Sequence, residues 1–160
     1  MTTAAPMPGA RSFGARYFHP FRLGSYLLVL YCVAHTWGAL LATPSFGAAA
    51  DAVRASMQRV HFACQGSECT WFGFYLGFGW MVSVFFLLSA ALSWYLGGLA
   101  PARRGALAPI TWALFLSQAA GAVFAWVYFF SAPRVFATAI ALLLGYQCVK
   151  ELRWASPTGS

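Results

Sequence analysis

Within nine positions, "HFACQGSEC", the chain places His61, Cys64, Glu68 and Cys69. These side-chain types bind borderline metals and carry out thiol redox chemistry, so their spacing decides what they can do. A cycling dithiol usually reads Cys-x-x-Cys, where the local backbone lowers one thiol's pKa. Here four residues separate the sulfurs. His61, Cys64 and Cys69, with Glu68 beside them, make one compact cluster rather than the paired ligand pattern of structural zinc sites, and no metal is expected. No Cys-x-x-Cys-His run is present for covalent haem. Gly66 can supply a tight turn. The expectation is therefore a small structural disulfide, Cys64 to Cys69, formed if this loop lies in an oxidising compartment. Cys32 and Cys148 fall inside apolar runs and cannot easily reach it.

The remaining polar groups are few and lie inside apolar runs: His35 with Thr36, Ser83, Ser117 with Gln118, and Gln147. A ring nitrogen or amide surrounded by hydrocarbon needs a partner, so these groups should face inward. Two readings follow. They join helices by hydrogen bonds, or His35, Ser83, Ser117 and Gln118 line a small polar pocket for a lipid-like ligand. His35 is then expected near Ser117 and Gln118. No apolar run contains Asp or Glu, which argues against a proton-coupled transporter. Paired carboxylates, a serine nucleophile elbow and a phosphate loop are all missing, so nothing advertises catalysis and no cofactor is expected.

The elements that must position these groups belong to a membrane. Hydrophobic residues make up 61% of the 160, charged residues 8%, and mean hydropathy is +0.67. A soluble domain carries roughly 25% charged residues, and thirteen charges cannot cover so apolar a surface. Four runs predict spans at about 23–42, 71–99, 107–130 and 133–152, the last borrowing flanking residues to reach the ~20 that a spanning helix needs. Pro44, "GGLAPARRG" and "SAPR" punctuate them, and Pro133 is well placed to open the fourth. The expected fold class is all-α: a four-helix transmembrane bundle, residues 23–154, between a loose arm (1–22) and a short tail (155–160). A cleaved leader is the alternative for the first run, but twenty apolar residues exceed a signal's core of about 7–15.

Four spans put both termini on one side. That side would carry Arg11, Arg16, Arg22, Arg103, Arg104, Lys150 and Arg153, against Arg54, Arg59 and Arg134 on the other. Basic residues stay on the cytoplasmic side, so both termini are expected there, in a bacterial inner membrane. Trp37, Trp71 and Trp126 then fall near the outer interface, with Trp94, Trp112 and Trp154 near the inner one. The net charge of +7 is scattered between apolar runs, forms no basic stripe, and does not point to nucleic acid.

The one long loop, 43–70, spaces Phe46, Ala50, Val53, Met57, Val60 and Cys64 by three or four. That predicts an amphipathic outer-side helix of about four turns, lying on the bundle or on the membrane surface. Beyond the loop, Gly73 and Gly77 make a G-x-x-x-G pair, followed by Gly79 and Ser83, a face suited to close helix packing in lipid.

Three stretches, "VAHTWG", "AVRASMQRV" and "WFGFYLGFGW", together resemble a group of small bacterial four-span integral membrane proteins, over roughly residues 23–152. The resemblance implies fold and location only; that group offers no catalytic residue to carry over, and the Cys64/Cys69 pair is not one of its features. The expected role is non-enzymatic: an accessory or structural subunit docking on a larger membrane complex, or a homo-oligomer, through its aromatic faces. The alternative is a protein binding a lipid-like ligand or quinone around His35, possible as an enzyme.

Overall fold

The computed structural model describes residues 18–155. Most of the expected arm, Arg11 and Arg16 within it, and the tail after Ala155 lie outside the described residues, as do the side chains of Arg153 and Trp154. The described chain is all-α apart from one hairpin. In order it forms α1 (Pro20–His35), which continues as a π-helical segment (Thr36–Leu41), α2 (Ala48–Arg59), β1 (His61–Cys64), β2 (Ser67–Thr70), α3 (Trp71–Gly98), α4 (Pro101–Ala106), α5 (Ala108–Tyr128) and α6 (Ser131–Ala155).

Four helices are long and apolar enough to cross a membrane: Pro20–Leu41, Trp71–Gly98, Ala108–Tyr128 and Ser131–Leu152. The first starts three residues before the expected position 23. Pro20 at the first helical position needs no amide partner, and His19 caps the end by accepting the Phe21 N–H on Nδ1 at 3.3 Å. Pro133 sits in the first turn of α6 rather than at its start, where its missing N–H costs nothing. Charge is kept to the ends. Helices α3 and α5 carry none, α1 has only Arg22 in its first turn, and α6 holds Arg134 at one end and Lys150, Glu151 and Arg153 at the other.

The described residues fall into two compact units. One comprises Leu28–Ala90; the other comprises 18–27 together with 91–155. Within the first, the end of α1 packs antiparallel against the start of α3, and Leu40 fills the space that the missing side chain of Gly79 leaves open. Of the expected pair Gly73 and Gly77, Gly77 has open space where a Cβ would stand, and Gly73 faces the Thr70 hydroxyl. Within the second, Phe21, Leu96, Leu114, Ile140, Leu144 and Cys148 are buried. Gly145 lets the Phe115 ring approach to 2.7 Å of its would-be Cβ, and Trp126 Nε1 donates to Thr138 Oγ1 at 3.0 Å across the α5–α6 link.

The interior holds polar groups beside the buried Phe21, Leu28, Leu96, Ile140 and Leu144, and many large apolar side chains lie outside. Ser83, Ser89, Ser93, Thr111, Gln118 and Gln147 are buried, while Phe78, Met81, Val84, Leu116, Val123 and Phe124 are exposed. A helix in water hides its large apolar side chains and exposes its serines. Small hydroxyl residues between helices, with bulky hydrocarbon outside, are what lipid selects.

The loop departs from expectation. The amphipathic helix is present, but it has 12 residues and stops at Arg59, so Cys64 is not on it. His61–Cys64 instead pairs with Ser67–Thr70 in an antiparallel hairpin. Gln65 and Gly66 both take positive φ, 49° and 83°, the backbone pattern of a two-residue type I′ turn. Gly66 does make the tight turn, yet it does not bring the sulfurs together. Cys64 pairs with Ser67, and Cys69 pairs with Phe62. The two cysteines thus lie on one face of the ribbon but diagonally, a relation in which Cα atoms stand about 7–8 Å apart, too far for a disulfide without backbone movement. Both are free, and the expected disulfide is corrected accordingly.

Candidate functional site

The polar groups of the first unit converge where α1 passes into its π segment. His35, the last residue of α1, donates from Nε2 to the Gly79 carbonyl at 3.1 Å, which fixes the ring proton on that nitrogen. One residue on, Thr36 Oγ1 meets Ser83 Oγ at 2.8 Å. Ser83 donates in turn to the Gly79 carbonyl at 3.3 Å, so the chain of protons runs from Thr36 through Ser83 to Gly79. Cys32 donates to the Ser83 carbonyl at 3.4 Å. This seam ties a helix to its neighbour through groups that would otherwise be orphaned in hydrocarbon.

The π segment belongs to the same construction. Its wider turn shows in the Ala42 N–H bonding back to the Trp37 carbonyl at 2.7 Å. The Ala39 carbonyl is also taken up from outside, by the Tyr75 hydroxyl at 2.9 Å. Isolated π turns concentrate at functional positions because they re-aim side chains. Beside this one is a half-open groove of about 190 Å³ lined by Gly38, Ala39, Phe46, Arg54, Phe72 and Tyr75, among others. Arg54 stands over the Phe72 ring at 5.6 Å. Asp51, also on its wall, is held by Ser45 Oγ at 2.5 Å and by the Phe46 N–H at 3.2 Å; these hydrogen bonds hold its carboxyl below the usual range.

Of the expected pocket residues, His35 and Ser83 therefore meet in one seam, through Thr36 and Gly79. Ser117 and Gln118 belong to the other unit, where Ser117 donates to the Leu114 carbonyl of its own helix at 2.8 Å and Gln118 is buried. Within its own unit, the partner of His35 is the Gly79 carbonyl of α3. The hairpin cluster is split by strand parity. His61 and Glu68 lie on one face, Cys64 and Cys69 on the other, and among the described residues no three potential ligands gather for a metal.

A second polar centre, in the other unit, went unread in the sequence. Arg104 is buried, donates from Nε to Glu151 at 2.5 Å, and also bonds the Leu99 carbonyl. Gln147, one turn before Glu151, donates to the same carboxylate oxygen at 2.8 Å. Arg22 lies with its guanidinium 4.3 Å over the Trp94 ring and its stem across Gly97, where a Cβ would come within 2.7 Å. His19 feels this cluster. Burial first, then the charge of Arg104, pushes its pKa from 6.5 down to about 4, so the ring is neutral at pH 7. A signal was present: Glu151 is one of only three acids, and it stands four residues after a glutamine at a span's end.

Comparison of the chain with protein-family models, with curated proteins and with solved structures finds no match.

Proposed function

We propose that the chain is a multi-pass integral protein of a bacterial inner membrane, with both termini cytoplasmic and a non-enzymatic role as an accessory or structural subunit of a larger membrane complex. The observation that carries this reading is the set of four long apolar helices whose outward faces expose large side chains such as Phe78, Met81, Val84, Leu116, Val123 and Phe124, while Ser83, Ser93, Thr111 and Gln118 are buried. The role is supported by how the in-span polar groups are used. His35, Thr36 and Ser83 are used in bonds that join α1 to α3. The seven-to-three asymmetry of basic residues supports the orientation.

Reporter fusions after residue 102 and at the C-terminus should read cytoplasmic, and one near residue 55 outside. An external C-terminus would remove the four-span arrangement. Purification in a mild detergent followed by native mass spectrometry tests the role, with a stoichiometric protein partner expected. The groove beside the π segment favours a second reading, binding of a lipid-like ligand between Tyr75 and Arg54. A lone protein retaining one small molecule would select it.

A further inference from the structure

At one end of the unit formed by 18–27 and 91–155, three elements bring their cations together. Arg22 comes from the first turn of α1, Arg104 from α4, where Arg103 precedes it in sequence, and Lys150 from the last turns of α6. His19 registers the gathering, because its ring feels the charges of Arg104, Glu151, Lys150 and Arg22. The sequence supplies little to offset them. Among the described residues of 18–27 and 91–155 the one acidic side chain is Glu151, and Arg134 stands at the other end of α6. That carboxylate is committed to Arg104 and Gln147. Arg103 and Lys150, next in sequence to Arg104 and Glu151, are exposed, and Lys150 approaches the Tyr146 ring at 6.0 Å. His19 adds a neutral donor. With Nδ1 taken by the Phe21 N–H, its ring proton is on Nε2, which has no acceptor among the described residues.

We propose that this end of the unit binds the phosphate of an anionic phospholipid, with Arg103, Lys150 and the His19 Nε2–H as donors and with Arg22 and Arg104 raising the positive potential around them. Cations at this density attract phosphate whatever its source. The lipid is the source the surroundings favour. Arg22 rests on Trp94, Trp94 packs edge-on against Tyr26 at 5.6 Å, and Tyr26, Trp94 and Tyr95 are all exposed. Amphipathic rings beside basic residues suit the headgroup level of a bilayer, where acyl chains can lie on the rings while the phosphate meets the charges. A free phosphate would use only the charges. The inference rests on the membrane reading above.

The test uses full-length protein, delipidated in a neutral detergent and examined by native mass spectrometry. One sample receives dioleoylphosphatidylglycerol, one dioleoylphosphatidylcholine and one sodium phosphate. The anionic lipid should be retained as a single adduct at least about tenfold better than the zwitterionic one, and should displace inorganic phosphate. Arg103→Gln with Lys150→Gln changes two exposed side chains. Each charge near a lipid phosphate is worth about fivefold, so the pair should weaken retention on the order of twentyfold, and Arg103→Lys with Lys150→Arg should restore it. Equal retention of the two lipids, or undiminished retention by the double Gln variant, overturns the proposal. Saturable binding of inorganic phosphate that the lipid does not displace overturns the lipid assignment. Membrane location is read separately, from the carbonate-washed membrane fraction, so a membrane-resident protein without lipid preference sinks this inference alone.

Discussion

Two histidines that look alike in the sequence serve different ends. His35 spends its Nε2–H on the Gly79 carbonyl, which also receives the Ser83 hydroxyl. Its replacement by Leu leaves that carbonyl occupied, so thermal unfolding in detergent should show a loss of only about 1 kcal/mol, the scale of hydrogen bonds between membrane helices. A loss of several kcal/mol, or release of a bound molecule, would mean His35 holds something besides a helix. His19 is pushed away from its protonated form by burial and by the charge of Arg104. Its folded pKa of about 4 lies below the unfolded 6.5, so the unfolded chain takes up its proton first. Stability is full above pH 6.5 and declines as pH falls toward 4. The decline should be on the order of 2 kcal/mol, allowing for solvent screening of a partly exposed ring. His19→Asn, which can still accept the Phe21 N–H, should flatten the melting temperature between pH 6.5 and 5, a window above most carboxylate titration. His35 was legible as a polar residue needing a partner. The identity of that partner was not, because a backbone carbonyl inside a neighbouring helix leaves no trace in side-chain types.

At the scale of elements, the loop between the first two spans shows where periodicity misleads. The apolar spacing from Phe46 to Val60 is helical, and Cys64 continues it by coincidence, since position 64 also fits the alternation of Phe62 and Cys64 along a strand. The deciding residues were Gln65 and Gly66, which take the two positive φ values of the hairpin turn. That turn is testable. Gly66→Ala forces a Cβ into left-handed backbone and should cost about 1–2 kcal/mol of hairpin stability, whereas Gln65→Asn, better suited to positive φ, should be neutral or stabilising. Amide hydrogen exchange at Phe62 and Cys69 would read both. The register carries a second expectation. Intact mass before and after alkylation should show Cys64 and Cys69 both modified without prior reduction, and a mass two daltons low would mean the strands have slipped.

For the whole molecule, four long apolar helices were legible because composition and run length alone demand them. The division into two units and the buried Arg104–Glu151 pair were not, because both depend on which helix ends meet. The solvent of the exposed faces can be measured directly. Val84, 66% exposed in the middle of α3, is the place to ask. In water its change to Lys would shift stability by less than about 0.5 kcal/mol. In a bilayer it should cost about 2.5–3.5 kcal/mol on an insertion scale, seen as failure of the second span to insert in a glycosylation-mapping assay. The placement of charge at the helix ends has an electrical corollary. Each elementary charge carried across a membrane exchanges about 2.3 kcal/mol with a 100 mV potential, and no span here has a charged side chain near its centre. In the proposed membrane setting, the four described spans would therefore carry no charge through the field, and energising the membrane would do almost no work on them.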